Sequence, residues 1–426
     1  MSTLNGYKII ELAGIGPAPM AGMILADMGA EVIRVERANA PDPKVAERVS
    51  GRGKKSIVLD LKKSEGVSTL LRLIDEAEVL IDPFRPGVCE KLGIGPDDCL
   101  SRNPKLVFAR MTGWGQKGPL ASAAGHDINY IAITGALHGV GRAGQKPVPP
   151  LNLVGDMGGG GMLLVSGILA ALLEASRSGE GQVIDAAMVD GAAQLMWMFH
   201  GLESIGGWDA TARGSNIIDG AAHFYDVYEC ADGKYICIGA IEPQFYALLR
   251  QLLGLEDTVF DRHHEREAWS DLSGKLSVIF LQKSQEEWCA LMEGTDVCFA
   301  PVLTFKEAPN YPPNVERETY IEVDGFVGTL TQDGDRYIMN DGEWGIIEWA
   351  TDDVGIIHQR RDDNQYLWSY SYADMTDLDA DDRGANVGLY PENPGSSYDD
   401  PGEWLNFNNG RRIIGTNDVQ SGGSGF

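Results

Sequence analysis

The sequence predicts an α/β protein: a large domain on a doubly wound parallel sheet, then a smaller α+β domain. Two observations carry this. Short β-prone runs alternate with helical patterns from Tyr7 to about residue 190, the signature of strand–helix–strand units. Beyond a glycine-spotted connector, Phe224–Cys230 and Tyr235–Gly239 flank the turn Ala231-Asp-Gly-Lys234 and read as a β-hairpin. The expected organisation is therefore a large domain over 1–200, a connector over 201–223 and a small domain over 224–305.

In chain order, Tyr7–Ala13 is a first strand, broken by Gly14-Ile-Gly-Pro-Ala-Pro19; Met20–Met28 has helical spacing, and Glu31–Glu36 is a second strand. The turn lacks GxGxxG and a Walker lysine, which argues against a dinucleotide or P-loop site. Arg34, Arg37, Arg52, Lys54 and Lys55 then form a basic cluster before the strand Ser56–Leu61. Such a cluster suits phosphates, or is simply a solvated surface. Ser64–Asp75 is an amphipathic helix, Glu78–Phe84 and Lys105–Arg110 are further strands, and Gly113–Pro119 is a loop. Met162–Arg177 is apolar on nearly every side and is expected to be deeply buried. Gly181–Met188 follows as a strand and Asp190–Phe199 as a helix. After the hairpin come helical patterns at Gln244–Leu253, Trp269–Leu281 and Gln285–Met292, then a strand at Cys298–Phe305.

Residues 326–426 differ in character. Over 327–426 there are 19 Asp or Glu, 6 Arg and no Lys, a net −13 of the total −27. Gly345–Trp349 and Tyr366–Tyr372 are possible strands, and no function is assigned to this segment.

A net charge of −27 argues against nucleic acid and anionic membranes as partners. The six cysteines show no CxxC or comparable metal spacing. With no secretory signal at Met1–Gly6, they are expected as reduced thiols in a cytoplasmic protein. The apolar run Gly161–Leu173 is too short to cross a bilayer.

Chemistry concentrates between Gly125 and Gly160. Gly125-His-Asp-Ile-Asn-Tyr130 opens the stretch, and Asn152-Leu-Val-Gly-Asp156 closes it before four glycines. A histidine and a carboxylate brought to one cleft have what reversible proton transfer at carbon requires, one group accepting while the other donates. Taken singly, His126 also reads as a structural histidine and Asp156 as a helix N-cap. Asp127 either orients the imidazole or caps a turn.

The ordered set of motifs resembles the α-methylacyl-CoA racemases of the family III CoA-transferase superfamily, over about residues 4–325. It comprises Ala26–Glu36, Gly51–Lys62, Pro83–Val88, Ala109–Gln116, Gly125–Tyr130, Pro150–Leu153, Gly239–Tyr246 and Gly294–Leu303. The resemblance implies a Rossmann-like large domain plus a small domain, in an interlocked homodimer whose active site lies between the large domain of one subunit and the small domain of the other. A return segment would occupy 306–325. The family's proline-rich C-terminal stretch has no match after Tyr320–Gly325.

Residue by residue, the resemblance implies His126 and Asp156 as the proton-transfer pair, with Glu242 and Asn152 as supporting polar residues. Arg37, the segment Leu59-Asp60-Leu61-Lys62 and Gly125-His126-Asp127-Ile128-Asn129-Tyr130 would bind the CoA thioester. The implied activity is interconversion of (R)- and (S)-2-methylacyl-CoA through an enolate. No cofactor or metal is implied, since CoA is part of the substrate. Two alternatives stay open: a family III CoA-transferase using Asp156 as nucleophile, and a non-catalytic acyl-CoA-binding scaffold.

Overall fold

The computed structural model describes residues 2–37 and 49–320 with their side chains; beyond them it describes only the backbones of short strands. The chain falls into two compact units, one of Met1–His126, Gly155–Gly191 and Glu322–Phe426, the other of Asp127–Val154 and Ala192–Ile321. Residues 127–154 and 192–200, which the sequence pattern groups with the large domain, thus belong with the small one.

The first unit is built on six parallel strands: β1 (Lys8–Leu12), β2 (Glu31–Glu36), β3 (Lys54–Val58), β4 (Val79–Asp82), β5 (Val107–Thr112) and β6 (Gln182–Ala187). Their order is β3-β2-β1-β4-β5-β6, the doubly wound order. Register is fixed by alternation. Ile10, Leu12, Ile33, Val35, Ile57, Leu80 and Phe108 point to one face, where Leu70 and Ile74 of α2 (Ser64–Ile74) cover them. Each such Leu or Ile, fully buried, stabilises the fold by roughly 1.5–3 kcal/mol. Beyond β3, Gly345–Ala350 pairs in parallel, and Ile356–Arg361 and Tyr366–Ser371 follow antiparallel. The tail segments read as possible strands are therefore strands over Gly345–Ala350 and Tyr366–Ser371, Tyr372 lying outside the described residues.

The other face is not purely apolar. Helix α1 (Pro17–Asp27) lies on it, over the buried side chains of Glu11 and Lys54. The helix begins at Pro17 rather than at Met20, because proline's fixed φ suits a first helical turn and Gly16, at φ 71°, supplies the sharp entry. Two short helices, α3 (Val88–Leu92) and α4 (Pro96–Arg102), connect β4 to β5.

A ten-residue π-helix, Leu153–Met162, runs straight into α5 (Leu163–Ser178). By length and composition Leu153–Ser178 would suffice to cross a membrane, contrary to the estimate from Gly161–Leu173 alone. Here it packs on α1, β5 and β6, the setting of a core helix. It is also less buried than its composition suggests: Met162 is 47 % and Leu173 61 % exposed. The expected helix at 190–199 breaks at Met196 into α6 (Met188–Leu195) and α7 (Trp197–Ser204).

The second unit has a three-stranded antiparallel sheet of β7 (Tyr225–Glu229), β8 (Tyr235–Gly239) and β9 (Phe299–Val302). The predicted hairpin forms, with Tyr225 opposite Gly239 and Glu229 opposite Tyr235. Helices α8 (Pro243–Leu253), α9 (Arg266–Phe280) and α10 (Gln285–Met292) close its core around Phe224, Tyr246, Trp269, Phe280 and Trp288. The connector is a knit loop rather than loose chain. Asn216, 1 % exposed, donates to the carbonyl of Asp209 at 3.1 Å and accepts from its N–H at 2.8 Å.

Candidate active site

In a doubly wound sheet the crevice for ligands opens where the connections leaving two neighbouring strands part to opposite sides. Here those strands are β1 and β4: β1 leads to β2 on one side and β4 to β5 on the other. The loops after them abut, since a side chain on Gly14 would meet Pro83 Cβ at 2.6 Å. At the same place a side chain on Gly16 would begin 3.7 Å from Asp156 Oδ2. The predicted carboxylate therefore stands, half-buried, beside the loop at the carboxyl end of β1.

The π-helix delivers it there. Runs of i→i+5 geometry are rare and associated with functional sites, and glycines make this one possible. Side chains on Gly160 and Gly161 would meet Pro17 at 3.0 and 3.2 Å, and one on Gly191 would collide with the Gly159 carbonyl. Close packing against the start of α1 and against α6 thus fixes the segment that carries Asp156.

His126 belongs to the same unit as Asp156 and is exposed. Gly125 is half-buried before it. The next residues begin the helix Asp127–Ile133 of the second unit, where Asp127 (5 % exposed) and Tyr130 (6 %) are buried, and Ile128 and Asn129 point outward. Asn152, in the second unit, is exposed and follows Leu151, whose φ of 55° is left-handed. For a non-glycine residue this costs about 1–2 kcal/mol, and such strain gathers at functional sites. Glu242, also in the second unit and exposed, is the N-cap residue of α8. Burial first, and then its charge, raise the thiol pKa of neighbouring Cys298.

A cleft of about 450 Å³ opens at the N-terminal end of α2. Leu61 and Lys62 line it, and Lys63, Lys91 and Arg102 join them together with the apolar Val67 and Leu71. Asp60 does not line the cleft, but its carboxylate accepts the Lys62 N–H at 3.0 Å. Leu59 is 1 % exposed and serves the core, not the cleft surface. Arg37 is exposed.

The basic cluster, which suits either phosphates or a solvated surface by sequence, is mostly committed to ion pairs. Arg34 pairs with Glu36 at 2.6 Å, Arg52 with Asp27 at 2.6 Å, Lys54 with Glu11 at 2.6 Å and Lys55 with Glu31 at 2.6 Å. Spacing in sequence identified the charges but not the carboxylates that neutralise them.

Sequence reasoning also passed over a polar cluster at the ends of β4 and β5. Arg110, 7 % exposed, binds the Glu90 carboxylate and Gln116 Oε1 (2.6 Å) and lies 3.8 Å from Asp82. Asp82 accepts the Phe84 N–H at 2.8 Å and a bond from Cys89. The cluster holds the loop 83–87 and α3, which presents Lys91 and Leu92 to the cleft. The available signal was a charge inside an apolar strand run, Val107-Phe-Ala-Arg-Met-Thr112.

Among the described residues no group of three or more His, Cys, Asp or Glu is placed to hold a metal ion. All six cysteines are free thiols, and burial pushes Cys99 up to about 12.

The model of CoA-transferase family III matches residues 4–344. The alpha-methylacyl-CoA racemase of Mus musculus is 48 % identical over 318 residues, 75 % of this chain and 82 % of that one. The Homo sapiens alpha-methylacyl-CoA racemase is 44 % identical over the same length and the same shares. Among solved structures, Rv3272 of Mycobacterium tuberculosis superposes with a TM-score of 0.64 at 31 % identity, covering 80 % of this chain and 94 % of that one. A CAIB/BAIF family protein of Brucella suis gives 0.69 at 26 % identity, over 80 % and 96 %.

Proposed function

The chain belongs to CoA-transferase family III, and within it we propose that it is an isomerase that interconverts (R)- and (S)-2-methylacyl-CoA thioesters. The observation that carries this is the placement of Asp156 at the switch-point loop, in the unit that also bears the exposed His126. The named racemases at 44–48 % identity support it.

The hydrogen beside a thioester carbonyl is weakly acidic because its removal leaves an enolate. In the proposed reaction the CoA portion lies in the basic cleft at α2, with Lys62, Lys63 and Lys91 facing its phosphates and Val67 and Leu71 beneath it. The α-carbon then reaches the crevice beside Gly16. One of His126 and Asp156 removes the proton; the other returns a proton to the opposite face, and configuration inverts. Backbone N–H groups of the glycine-rich stretch after Asp156 are candidates to stabilise the enolate oxygen. The reaction as proposed needs no metal or added cofactor.

Glu242 and Asn152 are proposed to support the pair as polar neighbours, Glu242 from the second unit of a partner copy. A homodimer fits the large apolar side chains left exposed on the two units, Leu173 (61 %), Trp197 (69 %) and Ile205 (79 %) among them. Sedimentation of the wild type against Trp197→Asp/Ile205→Asp tests this, and a monomeric wild type would refute it. The six free thiols fit the proposed cytoplasmic location.

The second reading is CoA transfer, in which the Asp156 carboxylate attacks the thioester carbonyl, the C–S bond breaks to release CoA thiolate, and an aspartyl–acyl anhydride forms. It is favoured by the 32 % identity to a probable fatty acyl-CoA transferase of Mycobacterium tuberculosis. Incubation of a single-enantiomer 2-methylacyl-CoA in deuterium oxide, followed by chiral analysis, separates the two. A racemase exchanges the α-hydrogen and inverts with no acceptor acid present. A transferase moves CoA only when an acceptor is supplied, and a binding scaffold does neither.

A further inference from the structure

We infer that the buried ion pair of Glu11 and Lys54 is a positioning device for Asp156, acting on turnover rather than on thioester binding. The inference rests on the racemase reading above. Glu11 of β1 is fully buried and Lys54 of β3 is 7 % exposed, with Nζ 2.6 Å from Glu11 Oε2. The same ammonium donates to the carbonyl of Pro19 at 2.8 Å, in the first turn of α1. Directly over the pair lies Gly22, where any side chain would overlap the Glu11 carboxylate. The start of α1 is thus fastened to the sheet by one charged side chain that reaches across two strands.

That first turn is the surface on which Asp156 is set. Pro17 stands against Gly160 and Gly161, four and five residues beyond the carboxylate, and Gly16 stands against the carboxylate itself. The contact path runs Lys54, Pro19, Pro17, then the π-helix. A buried ion pair is on average no better for stability than well-packed apolar side chains of similar volume. Stability alone therefore does not account for placing one here, whereas fixing the helix start does. The CoA cleft, by contrast, adjoins α2, which covers the opposite face of the sheet.

The test uses the full chain with two variants, Glu11→Leu/Lys54→Met, which replaces the pair by apolar side chains, and Gly22→Ala, which keeps both charges but displaces them. Thermal unfolding, kcat, KM and α-deuterium wash-in from each pure enantiomer are measured. A displaced carboxylate lowers kcat by about ten- to a hundred-fold and leaves KM within about two-fold. Wash-in falls by a similar factor from the enantiomer that Asp156 deprotonates, and from the one facing His126 it persists and outpaces inversion. A folded double variant with wild-type kcat would overturn the inference. So would equal loss of wash-in from both enantiomers, which is what a merely structural role produces. If the double variant fails to fold, Gly22→Ala decides by the same readings. Absence of exchange in the wild type would overturn the racemase reading and this inference with it.

Discussion

The carboxylate of Asp156 stands 3.7 Å from the point where a side chain on Gly16 would begin, and Gly16 itself adopts φ 71°, ψ −119°. That conformation is nearly closed to residues with a Cβ. Gly16→Ala is therefore expected to shift the loop against which the carboxylate rests. It should lower kcat at least ten-fold while the CoA thioester still binds. Steady-state racemisation alongside equilibrium binding of CoA checks this, and unchanged kcat would mean that the loop does not position Asp156.

The lysines of the cleft and those of the committed cluster predict opposite behaviour. Lys62→Ala and Lys91→Ala each remove a charge facing the cleft. Each should raise KM several-fold at low salt, with a smaller effect at high ionic strength, and leave kcat nearly unchanged. Lys55→Ala removes a lysine already paired with Glu31. Its KM should match wild type, and a rise equal to that of Lys62→Ala would restore the phosphate role that sequence spacing suggested.

Arg110→Met tests whether the polar cluster at the ends of β4 and β5 holds the cleft's edge. Glu90 and Asp82 lose their shared cation, and Asp82 is already raised by burial. Breaking a buried pair destabilises a fold by about 3–5 kcal/mol, and a lower melting temperature is expected. In protein still folded at the assay temperature, KM should rise about ten-fold with kcat near wild type. A fall in kcat at constant KM would place Arg110 with the reacting groups instead.

What the sequence revealed and what it hid divide along physical lines. Strand–helix alternation and the 225–239 hairpin are local patterns, so their periods and turn residues are readable, and the structure follows them closely. The π-helix at Leu153–Met162 was not readable, because its glycines set no hydrophobic period. Burial of charges was misjudged for a related reason. Arg52 and Lys54 look like a ligand surface until Asp27 and Glu11, some 25 and 43 residues away, are folded onto them. The exposed face of α5 escaped notice because composition reports apolarity and not which neighbour covers it. Asp156 was identified as a candidate from residue type and motif resemblance; only the fold shows it beside Gly16.

His223 gives the small unit a built-in acid sensitivity that the sequence did not suggest. The ring is fully buried, with Nε2 2.8 Å from the Tyr246 hydroxyl, which in turn donates to the Phe260 carbonyl at 3.3 Å. This chain fits the neutral tautomer protonated at Nε2, while buried Nδ1 has no hydrogen-bond partner among the described residues. A proton there would be an unmatched charge beside His263, and burial holds the imidazole down at about 3. Between pH 6.5 and 3 the unfolded chain binds a proton at this site that the folded one refuses, so stability falls as pH falls. The slope is about 1.4 kcal/mol per unit, or about 2 kcal/mol lost by pH 5. His263, also lowered, contributes in the same direction. His223→Gln keeps a donor for Tyr246 without the titration. Unfolding followed by tryptophan fluorescence, which Trp269 and Trp288 report from the core of this unit, should show a shallower decline from pH 7 to pH 5 in the variant. Parallel profiles would mean that His223 is protonated in the folded chain.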